Sequence, residues 1–97
     1  MRVRFYIDPA TKLPHIYGHD VAEQEAADVL ARPMEDRPGR DGARVALGQT
    51  EAGRYLRVIY VPDTSAGSVF VITAYELGDK ALKALRRRLK PSARKQP

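Results

Sequence analysis

Arg54-Tyr-Leu-Arg-Val-Ile-Tyr-Val61, then Pro62-Asp-Thr-Ser-Ala-Gly67, then Ser68-Val-Phe-Val-Ile-Thr-Ala-Tyr-Glu76 is the stretch whose reading decides the fold. Two runs rich in β-branched and aromatic residues flank a cluster of turn formers, which predicts a β-hairpin. Side chains alternate along a strand, so Val69, Val71, Thr73 and Tyr75 are expected on one face, with Phe70, Ile72 and Ala74 on the other. Both faces are apolar, as in strands near the centre of a covered sheet.

Working outward, Arg2–Ile7 alternates, with Val3, Phe5 and Ile7 on one side, and predicts a half-buried or edge strand that stops at Asp8-Pro9. His15-Ile-Tyr-Gly-His19 reads as a loop or a brief extended piece leading into a helix. Asp20 is an acidic N-cap candidate with Glu23 three residues on, and Ala22, Ala26, Val29 and Leu30 follow at helical spacing until Pro33. Arg32–Gly42, with two prolines and two glycines, predicts a long loop. Ala43–Thr50 reads as a strand joined tightly to the hairpin through Glu51–Gly53, which makes a meander. After Gly78, Leu82, Leu85 and Leu89, backed by Ala81, form the apolar stripe of a last helix. Lys83, Arg87 and Lys90 lie opposite, with Arg86 and Arg88 flanking. The expectation is one α+β domain over residues 1–90, ordered β-α-β-β-β-α, with a four-stranded, largely antiparallel sheet and two helices. A basic disordered tail is expected over Pro91–Pro97.

The 97 residues leave room for one core, and a domain this small would gain stability from a partner or as a homodimer. Cysteine is absent, which excludes disulfides and thiolate metal sites. No charged-then-apolar leader opens the chain and no apolar run approaches membrane-spanning length, so a cytoplasmic protein without membrane contact is expected. Asp79–Pro97 carries eight Lys/Arg and one acid, whereas Met1–Gly78 carries nine Lys/Arg and eleven acids. A basic end on a nearly neutral body points to an anionic partner, nucleic acid above all, or to a solvated helix face. Glycine-rich phosphate loops, HExxH and nucleophile elbows are missing, and nothing suggests a cofactor.

Cleaving RNA with its own 2′-OH needs a proton acceptor, a proton donor and positive charge on the phosphate. His15 and His19 suit the first two tasks. Their spacing of four would also suit a metal pair on a helix, but Pro14, Gly18 and the lack of a third ligand argue against zinc. The bland alternative is a loop histidine packed on Tyr17. Arg57 shares a strand face with Tyr55 and Ile59, and Arg44 and Arg54 lie on neighbouring strands; an Arg fork suits phosphate, or else its stem covers the sheet. Glu76 and Tyr75 end the last strand, where a carboxylate would transfer a proton and a phenol would stack on a base. Lys83, Arg86, Arg87, Arg88 and Lys90 would contact phosphates without sequence preference.

The His-containing turn, the short acidic helix, the proline-rich loop and the strand with Arg44 come in a telling order. With Ala46-Leu-Gly-Gln-Thr-Glu-Ala-Gly-Arg-Tyr-Leu-Arg-Val-Ile-Tyr-Val61 and Val71-Ile-Thr-Ala-Tyr-Glu76, they make Met1–Arg88 resemble the BrnT-like toxins of the RelE superfamily and their small bacterial relatives. The relatives place Gly after a His before the helix, whereas this chain reads Gly18-His19-Asp20. The resemblance implies a compact sheet with helices packed on it, a metal-independent ribonuclease acting on free or ribosome-bound RNA, and inhibition by a small antitoxin. On that basis the site would comprise His15 and His19 as acid and base, Arg44 and Arg57 on the phosphate, and Glu76 as a second proton-transfer group. The competing expectation is a non-catalytic module that binds nucleic acid or protein through the basic helix.

Overall fold

The structure, a computed structural model, describes residues 1–64 and 67–90; the tail expected over Pro91–Pro97 lies outside them. Five strands, β1 (Arg2–Phe5), β2 (Glu35–Pro38), β3 (Arg44–Gln49), β4 (Tyr55–Pro62) and β5 (Ser68–Glu76), form one sheet in the order β1-β5-β4-β3-β2. β1 runs parallel to β5 and every other pair is antiparallel, so the sheet is mixed. Helix α1 (Glu23–Ala31) packs on one face and α2 (Asp79–Leu89) on the other. No helix among the described residues is long and apolar enough to cross a membrane.

The architecture is α+β with two helices, as expected, but the sheet has a fifth strand. β2 lies inside the segment expected to be a loop. Its hairpin turn is Asp41-Gly42, with φ of 52° and 82°, and Gly39 N–H donates to the Ala43 carbonyl at 2.8 Å. An Asp-Gly pair in the left-handed region is a strong hairpin signal. Pro38 obscures it, because proline argues against a central strand. β2 is an edge strand, where a missing N–H costs no ladder bond. Its acids and proline also discourage pairing with another chain.

α1 starts two residues later than the Asp20 cap implies. Asp20 sits at φ 59° and ends a 3-10 turn over His15–His19, its N–H donating to the Tyr17 carbonyl. Glu25 caps α1 instead, its carboxylate accepting the Ala22 N–H at 3.0 Å. Ala26, Val29 and Leu30 then meet Ile16 and Val21 from the preceding turn, and Ala46, Leu56, Val58, Tyr60, Val71 and Ala74 from the sheet. Each large aliphatic side chain buried there contributes about 1.5–3 kcal/mol. Gly48 lets α1 come this close. A Cβ on it would stand 3.1 Å from Val29 Cγ1.

The expected facing of β5 is corrected by a bulge. Ile59 pairs with Thr73 but Tyr60 pairs with Val71, which leaves Ile72 as the extra residue. Val69, Val71 and Ala74 therefore all reach the α1 core, while Thr73 and Tyr75 turn to the α2 side. On that side Leu85, with Ala81 and Leu82, covers Leu47, Val45, Tyr55 and Leu77. Leu89 stays 44% exposed, so the stripe of α2 is shorter than its leucines suggest. α2 sits over the β3 end of the sheet and Arg88 holds it to Glu35 of β2 with two hydrogen bonds. Arg57, Ile59, Val61, Phe70, Ile72, Thr73 and Tyr75 on β4 and β5 remain only half-buried.

Candidate nucleic-acid interface

The two histidines are placed by a closed loop. Asp8 Oδ1 accepts the Ala10 N–H at 2.8 Å, the Asp8 carbonyl accepts Lys12 N–H at 2.7 Å, and Asp8 N–H donates to Leu13 O at 2.9 Å. Proline after Asp8 favours this turn. His15 N–H then donates to Tyr6 O, and Pro14, with its fixed φ, leads into the 3-10 turn. His15 and His19 face each other edge-on with ring centroids 5.3 Å apart. His15 Nδ1 also lies 3.4 Å from Asp8 Oδ2. The Ala10 N–H, with His15 beside it, holds the Asp8 carboxyl below the usual carboxylate range. Asp8 thus presents a negative charge to the histidine pair.

From there a row of rings and cations crosses the sheet. The Tyr6 ring is 6.0 Å from His15, and His19 is 5.8 Å from the ring of Tyr75. Tyr75 stands directly opposite Arg57 on β4, and Tyr55 is two residues away on the same face. The Arg86 guanidinium of α2 lies 5.6 Å over the Tyr55 ring. The order is Tyr6, His15, His19, Tyr75, Arg57, Tyr55, Arg86. Aromatic faces alternating with positive charge are what a flexible single strand uses, bases on the rings and phosphates on the cations.

Arg57 is the unusual member. Its Nε is buried without a hydrogen-bond partner, and no carboxylate pairs with its head among the described residues. The Thr73 hydroxyl, on the neighbouring strand, is also buried and has no partner among the described residues. A guanidinium partly stripped of water and left unpaired costs stability, and an incoming anion would offset that cost.

The other expected site residues are placed elsewhere. Arg44 is on the α1 side of the sheet, its Nε donating to Asp36 Oδ1 at 2.9 Å, and Asp36 Oδ2 accepts the Tyr60 hydroxyl. That triad ties β2 to β3 and β4. Glu76 sits 3.3 Å from Arg54, which also holds Glu25 at 2.8 Å and the Asp20 carbonyl at 2.9 Å. Arg88 is engaged by Glu35, whose carboxyl it holds below the usual range. Lys83 and Arg87 are exposed and carry no ion pair among the described residues, and Lys90 is exposed at the helix end. Tyr17 does not pack on a histidine; its hydroxyl donates to Glu23 at 3.1 Å. Asp8, Tyr6 and Tyr55 join the site without having been singled out. The Asp-Pro turn before His15 is the local signal that locates Asp8.

His15 and His19 also line a hollow of about 340 Å³, together with Asp8, Thr11, Leu13, Pro14, Tyr17 and Gly18. The described residues contain no cluster of three metal-ligating side chains. Comparison of the chain with protein-family models, with curated proteins and with solved structures finds no match.

Proposed function

We propose that the protein is an RNA endonuclease of the type II toxin class that works without a metal, in the cytoplasm, on RNA laid along the row from His15 to Arg86. The observation that supports this most directly is Arg57, a half-buried guanidinium without an ion pair among the described residues, beside Tyr75, which itself touches His19. In this reading one histidine takes the proton from the 2′-OH, and the resulting oxygen attacks phosphorus. A 2′,3′-cyclic phosphate forms, the P–O5′ bond breaks, and the other histidine gives its proton to the leaving O5′. Arg57 stabilises the extra negative charge on the phosphoryl oxygens. Tyr75 takes a base, while Arg86, held over the covered Tyr55 ring, and Lys83 and Arg87 hold flanking phosphates. A small antitoxin with an acidic segment would inhibit by covering the same face.

Arg44 and Glu76 are committed to ion pairs on the α1 side, so they enter this mechanism only through folding. Their absence from the row favours a second reading, a non-catalytic module that binds single-stranded nucleic acid. Induced expression in a bacterial host separates the two. Growth arrest with loss of mRNA, relieved by His19→Ala and by Arg57→Ala at matched protein level, is the result expected of the nuclease. Arrest that persists in both variants would discard these residues. RNA binding without arrest at any level would leave the binding module.

A further inference from the structure

We propose that the hollow beside His15 and His19 is a subsite for one guanine base next to the scissile phosphate. This names the substrate preference of the site proposed above and rests on that reading. The hollow, about 340 Å³, is large enough for a purine, and its walls pair apolar surface (Leu13, Pro14, Tyr17) with a few polar groups (Asp8, Thr11, His15). That balance is characteristic of small-ligand sites. Among the polar groups Asp8 is the one anion, and hydrogen bonds fix it in place. Its Oδ1 takes the Ala10 N–H and its Oδ2 faces His15 at 3.4 Å. A carboxylate has about four acceptor positions, so both oxygens keep capacity for a ligand.

Guanine is the base whose edge offers two parallel donors, N1–H and N2–H, to such a fork. Uracil offers a single N–H between two carbonyls, which a carboxylate repels. Thr11 Oγ1 accepts the Leu13 N–H, leaving its own O–H to donate to the base. A guanine seated there would bring its ribose and 3′-phosphate toward the two imidazoles that line the same hollow. Gly18 borders the space, and a Cβ on it would meet nothing within 4 Å. A larger side chain at this border is therefore accommodated without displacing the fold.

The test is titration of the full chain with guanosine 5′-monophosphate or uridine 5′-monophosphate, followed by amide chemical shifts, in wild type, Gly18→Leu and Asp8→Asn. Asparagine keeps the oxygen that accepts the Ala10 N–H, so the loop survives in the last variant. Saturable shifts over Thr11–His19 are expected with the guanine nucleotide. Asp8→Asn should weaken its affinity by about fivefold to a hundredfold, the range for losing a bidentate base pairing. Gly18→Leu should abolish the shifts while the rest of the spectrum is retained. Shifts confined to α2, equal response to both nucleotides, or saturation unchanged by Gly18→Leu would overturn the subsite. Guanine binding in a protein that cleaves no RNA would sink the nuclease reading and leave the subsite standing. Cleavage with no preference for guanine at the cut would do the reverse.

Discussion

Replacing Arg57 by methionine pulls stability and function in opposite directions. The Arg57 stem lies on an apolar strand face between Tyr55 and Ile59, and its Nε is buried without a partner among the described residues. Leaving a buried donor unsatisfied costs about 1–3 kcal/mol, and the low end applies here because the residue is only half-buried. Methionine keeps the stem, removes the donor and packs adaptably. We expect Arg57→Met to gain about 1 kcal/mol, which for a domain of this size raises Tm by about 4–8 °C. A charge-assisted hydrogen bond to phosphate is worth about 1.5–3 kcal/mol, so affinity for a short single-stranded RNA should fall by about tenfold or more. Urea unfolding and fluorescence anisotropy at fixed salt measure the two effects on one preparation. A variant less stable than wild type by about 1 kcal/mol or more, the ordinary cost of a disruptive substitution, would make Arg57 a structural residue. RNA affinity unchanged in a folded variant would refute its role on the phosphate.

The cations of α2 divide in the same way. Lys83→Glu with Arg87→Glu should weaken RNA binding and make its log–log salt dependence shallower by about 0.7 for each phosphate no longer neutralised, with unfolding unaltered. Arg88→Ala should act mainly on stability, since Arg88 gives two hydrogen bonds to Glu35 and tethers α2 to β2; urea unfolding checks it. Tyr60→Phe removes the hydroxyl that Asp36 accepts in a buried position and should cost about 1–2 kcal/mol. Amide hydrogen exchange over Glu35–Pro38 should then quicken. Stability should fall on acidification. The Ala22 N–H first, and Arg54 after it, hold the folded Glu25 carboxyl below its ordinary value, so its contribution is present above that value and is lost as pH falls through the folded one. Glu25→Gln should flatten the decline in urea midpoint between about pH 5 and about pH 3. An unaltered slope would remove Glu25 from the acid sensitivity.

Much of the fold could be read along the chain because the signals concerned are local. Alternation in Arg2–Phe5, the dense β-branched runs of β4 and β5, and the leucine spacing of α2 each need only a few neighbouring residues to express themselves. β2 escaped for a specific reason. The Asp41-Gly42 pair is a local hairpin signal, but Pro38 reads as a break and the whole of Arg32–Gly42 as a loop until the strand is known to lie at the sheet edge. The cap of α1 likewise moved from Asp20 to Glu25, because the 3-10 turn used Asp20 for its own end.

By itself the sequence determined the two helices, four of the five strands, the order of those elements and the basic outer side of α2, since periodicity and composition are properties of short segments. Tertiary structure alone decided which charges are spent and which are left over. Arg44, Arg54, Arg57 and Arg88 are alike in sequence, and only pairing across distant segments commits Arg44 to Asp36, Arg54 to Glu25 and Arg88 to Glu35. The bulge at Ile72 was equally invisible, yet it turns Thr73 and Tyr75 toward Arg57 and His19. A candidate site is made of groups left unsatisfied by the fold, and that remainder exists only once every strand has found its register.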